Sequence, residues 1–200
     1  MIIKPKSSRT KGIIASSFMV FALIAQPMYG LVASQVAEAA AGDPVCVDGG
    51  DCYTSVQTAI NNAPGGGTVT VSAGTYSETV TIDKPLTLRG AKSGNDARNR
   101  TVNDGSESII NGGSQSALVI KSNNVTVDGF QIQQTGNGPH TVTTTANFSD
   151  IKLENNIVTS TTNSGSAMHL YGGQNFTIQK NYFTIITLCN GTDFDYAIHV

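Results

Sequence analysis

The chain has 200 residues, 13% of them charged, with a formal net charge of −2, 21 glycines and no tryptophan. So low a charge in a chain whose apolar residues alternate excludes a disordered polyelectrolyte, and an acidic balance excludes a surface that grips nucleic acid by counterion release. Abundant Gly, Thr, Ser and Asn suit short strands and tight turns.

Residues 1–39 read as an export signal. Lys4, Lys6, Arg9 and Lys11 form a basic segment, Ile13 to Ala25 an apolar one, and Ala37-Glu38-Ala39 a small-residue cleavage site. The apolar run is short, and Gln26 and Pro27 interrupt it, so no membrane span is expected after cleavage. Removal of this segment leaves eight basic and thirteen acidic residues, a net charge of −5. The expected destination is secreted, extracellular or at the cell surface, with the periplasm as an alternative. An acidic polysaccharide would need a bridging cation such as calcium, or a local basic patch, to approach this surface.

Residues 40–53 form an N-terminal segment in which Cys46 and Cys52 enclose Val-Asp-Gly-Gly-Asp. In an oxidising compartment these cysteines are expected to pair and fasten the start of the fold. Asp48 and Asp51 inside that loop lack the full spacing of a calcium loop. Cys189 is left over.

A helix is predicted from about Ser55 to Asn62. Thr54-Ser-Val-Gln57 has the form of a capping box, Val56, Ala59, Ile60 and Ala63 follow at helical spacing, and Pro64 with three glycines ends the run. Such a helix would cover the open end of an apolar column. Short alternating strands follow at Thr68–Val71, Gly74–Tyr76, Thr79–Ile82 and Leu86–Leu88. Gly90 to Arg100 carries Lys92, Arg98 and Arg100 among Gly and Asn, and reads as a solvated excursion.

The remainder repeats. Val125–Ile132, Ile151–Val158 and Phe176–Phe183 share one pattern with a period of about 25 residues, the signature of a solenoid. Val125 and Val127, Ile151 and Leu153, and Phe176 and Ile178 share a face because side chains alternate along a strand. A third strand completes each repeat: Ala117–Lys121, Thr141–Thr145, Ala167–Tyr171 and Ala197–Val200. Their inward pairs are Leu118 and Ile120, Val142 and Thr144, Met168 and Leu170, and Ile198 and Val200. Residues 54–200 are therefore expected to form a parallel β-helix, all-β apart from its capping helix. Asn156 and Asn181 share a turn position, which predicts an internal asparagine ladder, with Phe130 in the equivalent place one rung earlier. The last strand has no successor within the sequence, so truncation of a longer solenoid is expected at this end.

The opening rungs carry a resemblance. Thr54-Ser-Val-Gln-Thr-Ala-Ile60, Ala63-Pro-Gly-Gly-Gly-Thr-Val69, Ala73-Gly-Thr-Tyr-Ser-Glu78 and Thr81-Ile-Asp-Lys-Pro-Leu-Thr-Leu-Arg-Gly90 together resemble the N-terminal coil of the pectin lyase-like superfamily. That superfamily includes pectate lyases, pectin methylesterases, NosD-like proteins and surface adhesins. The resemblance implies a single-stranded, right-handed parallel β-helix with PbH1-type repeats, and it implies no single activity. Gly74-Thr-Tyr76-Ser-Glu78 is similar to the opening motif of pectin methylesterases, although the acid/base motif of that family has no counterpart. A pectate lyase would use an arginine base on a repeat strand, and no arginine is expected on one.

Strand register selects the candidate site. His169 and His199 fall at equivalent outward positions on neighbouring strands, Tyr171 flanks His169, and Asp193 and Asp195 lie in the connection before His199. Imidazoles and carboxylates on one groove suit metal binding, with Asp193 and Asp195 as the acidic ligands, or acid and base work on a glycan. Tyr171, His169 and His199 are the expected substrate-binding residues, and calcium the expected ion if there is one. Two functions follow as expectations: an exported β-helix repeat protein that binds extracellular or cell-surface carbohydrate, or a polysaccharide-active lyase, esterase or hydrolase.

Overall fold

The computed structural model describes residues 45–161, 166–185 and 198–199. The signal segment, Cys189, Asp193 and Asp195 lie outside the described residues. Three sheets account for all the strands described, and from β3 onward successive strands visit them in turn. The first sheet holds β1 (Val45–Val47), β2 (Cys52–Tyr53), β3 (Thr68–Val71), β6 (Leu86–Arg89), β9 (Val125–Asp128), β12 (Ile151–Glu154) and β15 (Thr177–Gln179). The second holds β4 (Gly74–Tyr76), β7 (Ser108–Asn111), β10 (Phe130–Gln134), β13 (Ile157–Ser160) and β16 (Tyr182–Ile185). The third holds β5 (Val80–Ile82), β8 (Leu118–Ile120), β11 (His140–Thr144), β14 (Ser166–His169) and β17 (Ile198–His199).

From β3 onward every strand pair is parallel, and each strand lies beside the one three places later in the chain. The described residues are thus mostly β with one α-helix, and their register repeats rung by rung. Leu86 pairs with Val125 and Val125 with Ile151; Leu88 with Val127, Val127 with Leu153, and Leu153 with Ile178. These residues and their counterparts Ile110, Ile132 and Val158 are buried in one continuous apolar cluster, except Ile178, which is partly buried and packs against it. Burial of each such side chain stabilises by about 1.5–3 kcal/mol, which no single rung could gain alone.

The start of the first sheet is closed differently. Strand β1 runs antiparallel to both β2 and β3, and Cys46 opposes Cys52 in a disulfide-bonded hairpin. Helix α1 (Val56–Asn62) packs Val56, Ala59 and Ile60 into the same cluster. Its cap departs from the capping-box reading. Ser55, not Thr54, is the N-cap, with its hydroxyl accepting the N–H of Thr58 at 3.2 Å. Gln57 turns away to strand β5, accepting the Thr81 N–H at 2.6 Å and donating to the Thr81 carbonyl at 3.1 Å. Its place at the N-terminus is taken by Glu78, whose carboxylate accepts from Ser55 Oγ and from the N–H groups of Val56 and Gln57. The motif similar to that of pectin methylesterases thus comprises strand β4 and a helix cap.

The asparagine ladder is present. Asn156 donates from Nδ2 to the Val127 carbonyl at 2.9 Å and accepts the Phe130 N–H at 3.0 Å. One rung on, Asn181 donates to the Leu153 carbonyl at 2.6 Å and accepts the Asn156 N–H at 2.8 Å. Left-handed backbone belongs to the residue before each ladder position, at Gly129 (φ 82°), Asn155 (φ 54°) and Lys180 (φ 56°), rather than to the ladder asparagine itself.

Residues 90–107 leave the coil between β6 and β7, but they are not simply solvated. The Gly90 N–H donates to Asp128, the Lys92 N–H to Gly129, and the N–H of buried Ala97 to Lys180. A Cβ on Gly129 would collide with the main chain of Lys92 and Ser93, so the close seat of this segment requires glycine there. Arg98 is exposed and holds the Asp96 carboxyl down at about 2 by donating hydrogen bonds to it. The Arg100 side chain is largely covered, lies 3.3 Å from the carboxylate of buried Glu107, and donates to the Phe130 carbonyl at 3.1 Å. Arg89 also corrects an expectation: it ends strand β6, in register with Asp128.

Candidate functional site

The outward column on the third sheet reads Thr81, Val119, Thr143 and His169, each residue in register with the next, and the register continues from His169 to His199. His199 therefore stands on the strand beside His169; its side chain lies outside the described residues. Imidazole does cluster on this sheet, through a residue that strand alternation conceals. His140 opens strand β11 and pairs in register with Ser166. Its ring lies 4.3 Å from that of His169, at 70° to it, and His140 Nε2 is 2.9 Å from His169 Nδ1.

Alternation by two gives His140 the inward face of Val142. At the strand entrance that alternation slips: Thr141 is fully buried, donating from Oγ1 to the Thr159 carbonyl at 3.2 Å, and His140 stays half-buried at the surface. The signal available in the sequence was its spacing, since His140 precedes Val142 as Ser166 precedes Met168. Knowing that the alternation breaks at the start of β11 requires the fold.

Hydrogen bonds fix the tautomers of the pair. The Ser166 N–H points at His140 Nδ1 (3.3 Å), and the Ser166 hydroxyl lies 3.0 Å from the same atom. An Nδ1 that accepts leaves the His140 proton on Nε2, where it is donated to His169 Nδ1, so His169 carries its own proton on Nε2. The two rings form a directed chain from the main chain of β14 outward.

Tyr171 is placed by Thr144. That threonine occupies an inward position in register with Ile120, is fully buried, and satisfies its hydroxyl by accepting the Tyr171 N–H at 2.7 Å. The chain is thereby held as it leaves β14. The Tyr171 ring sits 4.2 Å from the His169 ring, tilted 35° to it, and remains 48% exposed. Ser116, Pro139, His140, Thr143, Thr144, Thr145 and Tyr171 line a recess of about 350 Å³.

The recess thus has one exposed aromatic face, the His140 imidazole, backed by the His169 ring, and several hydroxyls. That arrangement can stack against a ring and exchange hydrogen bonds with hydroxyl groups. Among the described residues no group of three or more His, Cys, Asp or Glu side chains is placed to hold a metal ion. None of the described helices is long and apolar enough to cross a membrane. No family model, curated protein or solved structure matches the chain.

Proposed function

We propose that the chain is an exported, right-handed parallel β-helix of the pectin lyase-like kind that binds extracellular or cell-surface carbohydrate at the recess beside Tyr171. The observation that carries this reading is the exposed Tyr171 ring, braced by the His169–His140 pair and opening onto a hydroxyl-lined recess. A sugar presents an apolar ring face to the tyrosine and its hydroxyls to Ser116 and the threonines of the recess, which is the pairing that such mixed sites recognise. The disulfide at the start of the fold suits an oxidising compartment, which supports export.

The test is affinity electrophoresis of the whole protein through gels containing neutral or acidic polysaccharides, with and without calcium. Retardation by at least one polysaccharide, lost in Tyr171→Ala, is expected. Unretarded migration in every gel, or equal retardation of the variant, rejects the reading. Release of new reducing ends or unsaturated products during incubation would favour the enzymatic alternative instead.

A further inference from the structure

The chain contains three histidines, and they stand on three successive strands of one sheet: His140 on β11, His169 on β14 and His199 on β17. Solvation alone gives no reason for this concentration in a 200-residue chain. His140 Nε2 and His169 Nδ1 approach to 2.9 Å at the surface, where both rings are half-buried. We propose that this pair is a binding site for a divalent transition ion, of the nitrogen-preferring kind represented by Ni²⁺.

Three features support the assignment. The first is spacing. Seen from an ion about 2.0–2.1 Å from each, nitrogens 2.9 Å apart subtend about 90°, the angle between neighbouring ligands in tetragonal coordination. A tetrahedral zinc site would place them about 3.4 Å apart. The second is proton balance. To ligate through Nε2, His140 must move its proton to Nδ1, and His169 already carries its proton on Nε2. The ion then replaces a shared hydrogen bond without requiring either imidazole to lose its remaining proton. The third is Ser166. Its hydroxyl, 3.0 Å from His140 Nδ1, can donate to that nitrogen in the free protein and accept from it in the bound one, at the cost of the 3.3 Å contact that the Ser166 N–H makes with the unprotonated nitrogen. It is thus a ready outer partner, the arrangement that orients histidine ligands in metal sites. Once the His140 proton has moved, binding requires the two ring nitrogens to pivot from facing each other to a common point outside the sheet, where Tyr171 and the threonine-lined recess border the ion.

The inference uses the residues of the carbohydrate site but does not rest on sugar binding, and its test contains no sugar. Untagged full-length protein is titrated calorimetrically with Ni²⁺, and separately with Zn²⁺. One Ni²⁺ per chain is expected, bound more tightly than Zn²⁺. Binding should weaken at least tenfold in His140→Gln and in His169→Gln, and about tenfold in Ser166→Ala, which keeps both rings. Urea unfolding of each metal-free variant checks that its fold is intact. Absence of Ni²⁺ binding to the wild type, or binding unchanged by all three substitutions, overturns the proposal.

Discussion

The carboxylate of Glu78 accepts the main-chain N–H of Val56 at 2.8 Å, so helix α1 is capped by a residue beyond the next two strands of the chain. Glu78 also accepts from the Gln57 N–H and from the hydroxyl of Ser55, which is itself the N-cap. Negative charge at a helix N-terminus is favourable, and here it ties the helix to the strand that follows β4. Glu78→Ala should therefore cost about 2 kcal/mol, and Glu78→Gln, which retains one acceptor oxygen, about 1 kcal/mol. The midpoint of urea unfolding measures both. Equal stability of the alanine variant and the wild type would remove Glu78 from the account of how α1 is held.

Asn156 makes the corresponding link between rungs. Its side chain is buried, and it serves the Val127 carbonyl and the Phe130 N–H of one rung while its own N–H is served by Asn181 of the next. Asn156→Ala leaves two main-chain groups without partners and should cost about 3 kcal/mol. Asn156→Asp should be worse at neutral pH, because a carboxylate cannot donate to Val127 and would carry a buried charge. Thermal unfolding of the two variants, ranked against each other, tests this order.

The rungs were legible because alternation by two and a period near 25 residues are both direct consequences of stacking. The ladder at Asn156 and Asn181 was legible for the same reason, down to the interruption at Phe130. Failures occurred where a long-range partner replaced a local one. Gln57 has the spacing of a capping-box residue, yet a strand edge at Thr81 offers it two main-chain groups, and Glu78 brings a full charge to the helix end. Arg100 looks like a solvated charge until the fold returns Glu107 to it. At the candidate site, register placed His169 beside His199 and Tyr171 beside His169. His140 was concealed because alternation breaks at the start of β11, where Thr141 is buried and His140 stays half-buried.

Tyr76 provides a test at alkaline pH. Its hydroxyl donates to the Ser72 carbonyl at 3.0 Å, and burial, with a smaller contribution from the Glu78 charge, pushes its pKa from 10.0 up to about 12. The folded state thus resists losing a proton that the unfolded chain releases near pH 10. The stability from this linkage is complete below pH 10 and is lost as the pH rises toward 12. Tyr76→Phe should lower stability at pH 8 by about 1 kcal/mol through the lost hydrogen bond, and should then show a shallower decline above pH 10. Urea unfolding of both proteins from pH 8 to 11 measures the difference; parallel curves would contradict it.

Arg100 and Glu107 hold the excursion of residues 90–107 against the second sheet, and their balance is set by desolvation. Burial raises the Glu107 pKa above its ordinary value, and Arg100 offsets that only in part; burial likewise lowers the Arg100 pKa. Among the described residues neither oxygen of the Glu107 carboxylate has a hydrogen-bond partner, which is why the attraction does not win. With a raised folded pKa, the stability linked to Glu107 is fully present below the ordinary carboxylate range and diminishes as the pH rises through the folded value. Arg100→Met removes the offset and leaves the carboxylate buried alone, at a cost of about 3–5 kcal/mol at pH 7. Acid should relieve this: at pH 5 the cost shrinks, because Glu107 takes up a proton more readily once Arg100 is gone. Pairing Arg100→Met with Glu107→Leu should recover most of the loss at pH 7, since an apolar pair of similar size avoids both desolvation costs. The recovery stays incomplete because the hydrogen bond from Arg100 to the Phe130 carbonyl is lost in both variants. A double-mutant cycle at the two pH values separates these contributions, and a cost for Arg100→Met that does not change between pH 7 and pH 5 would show that the exposed carbonyl, not the stranded carboxylate, dominates.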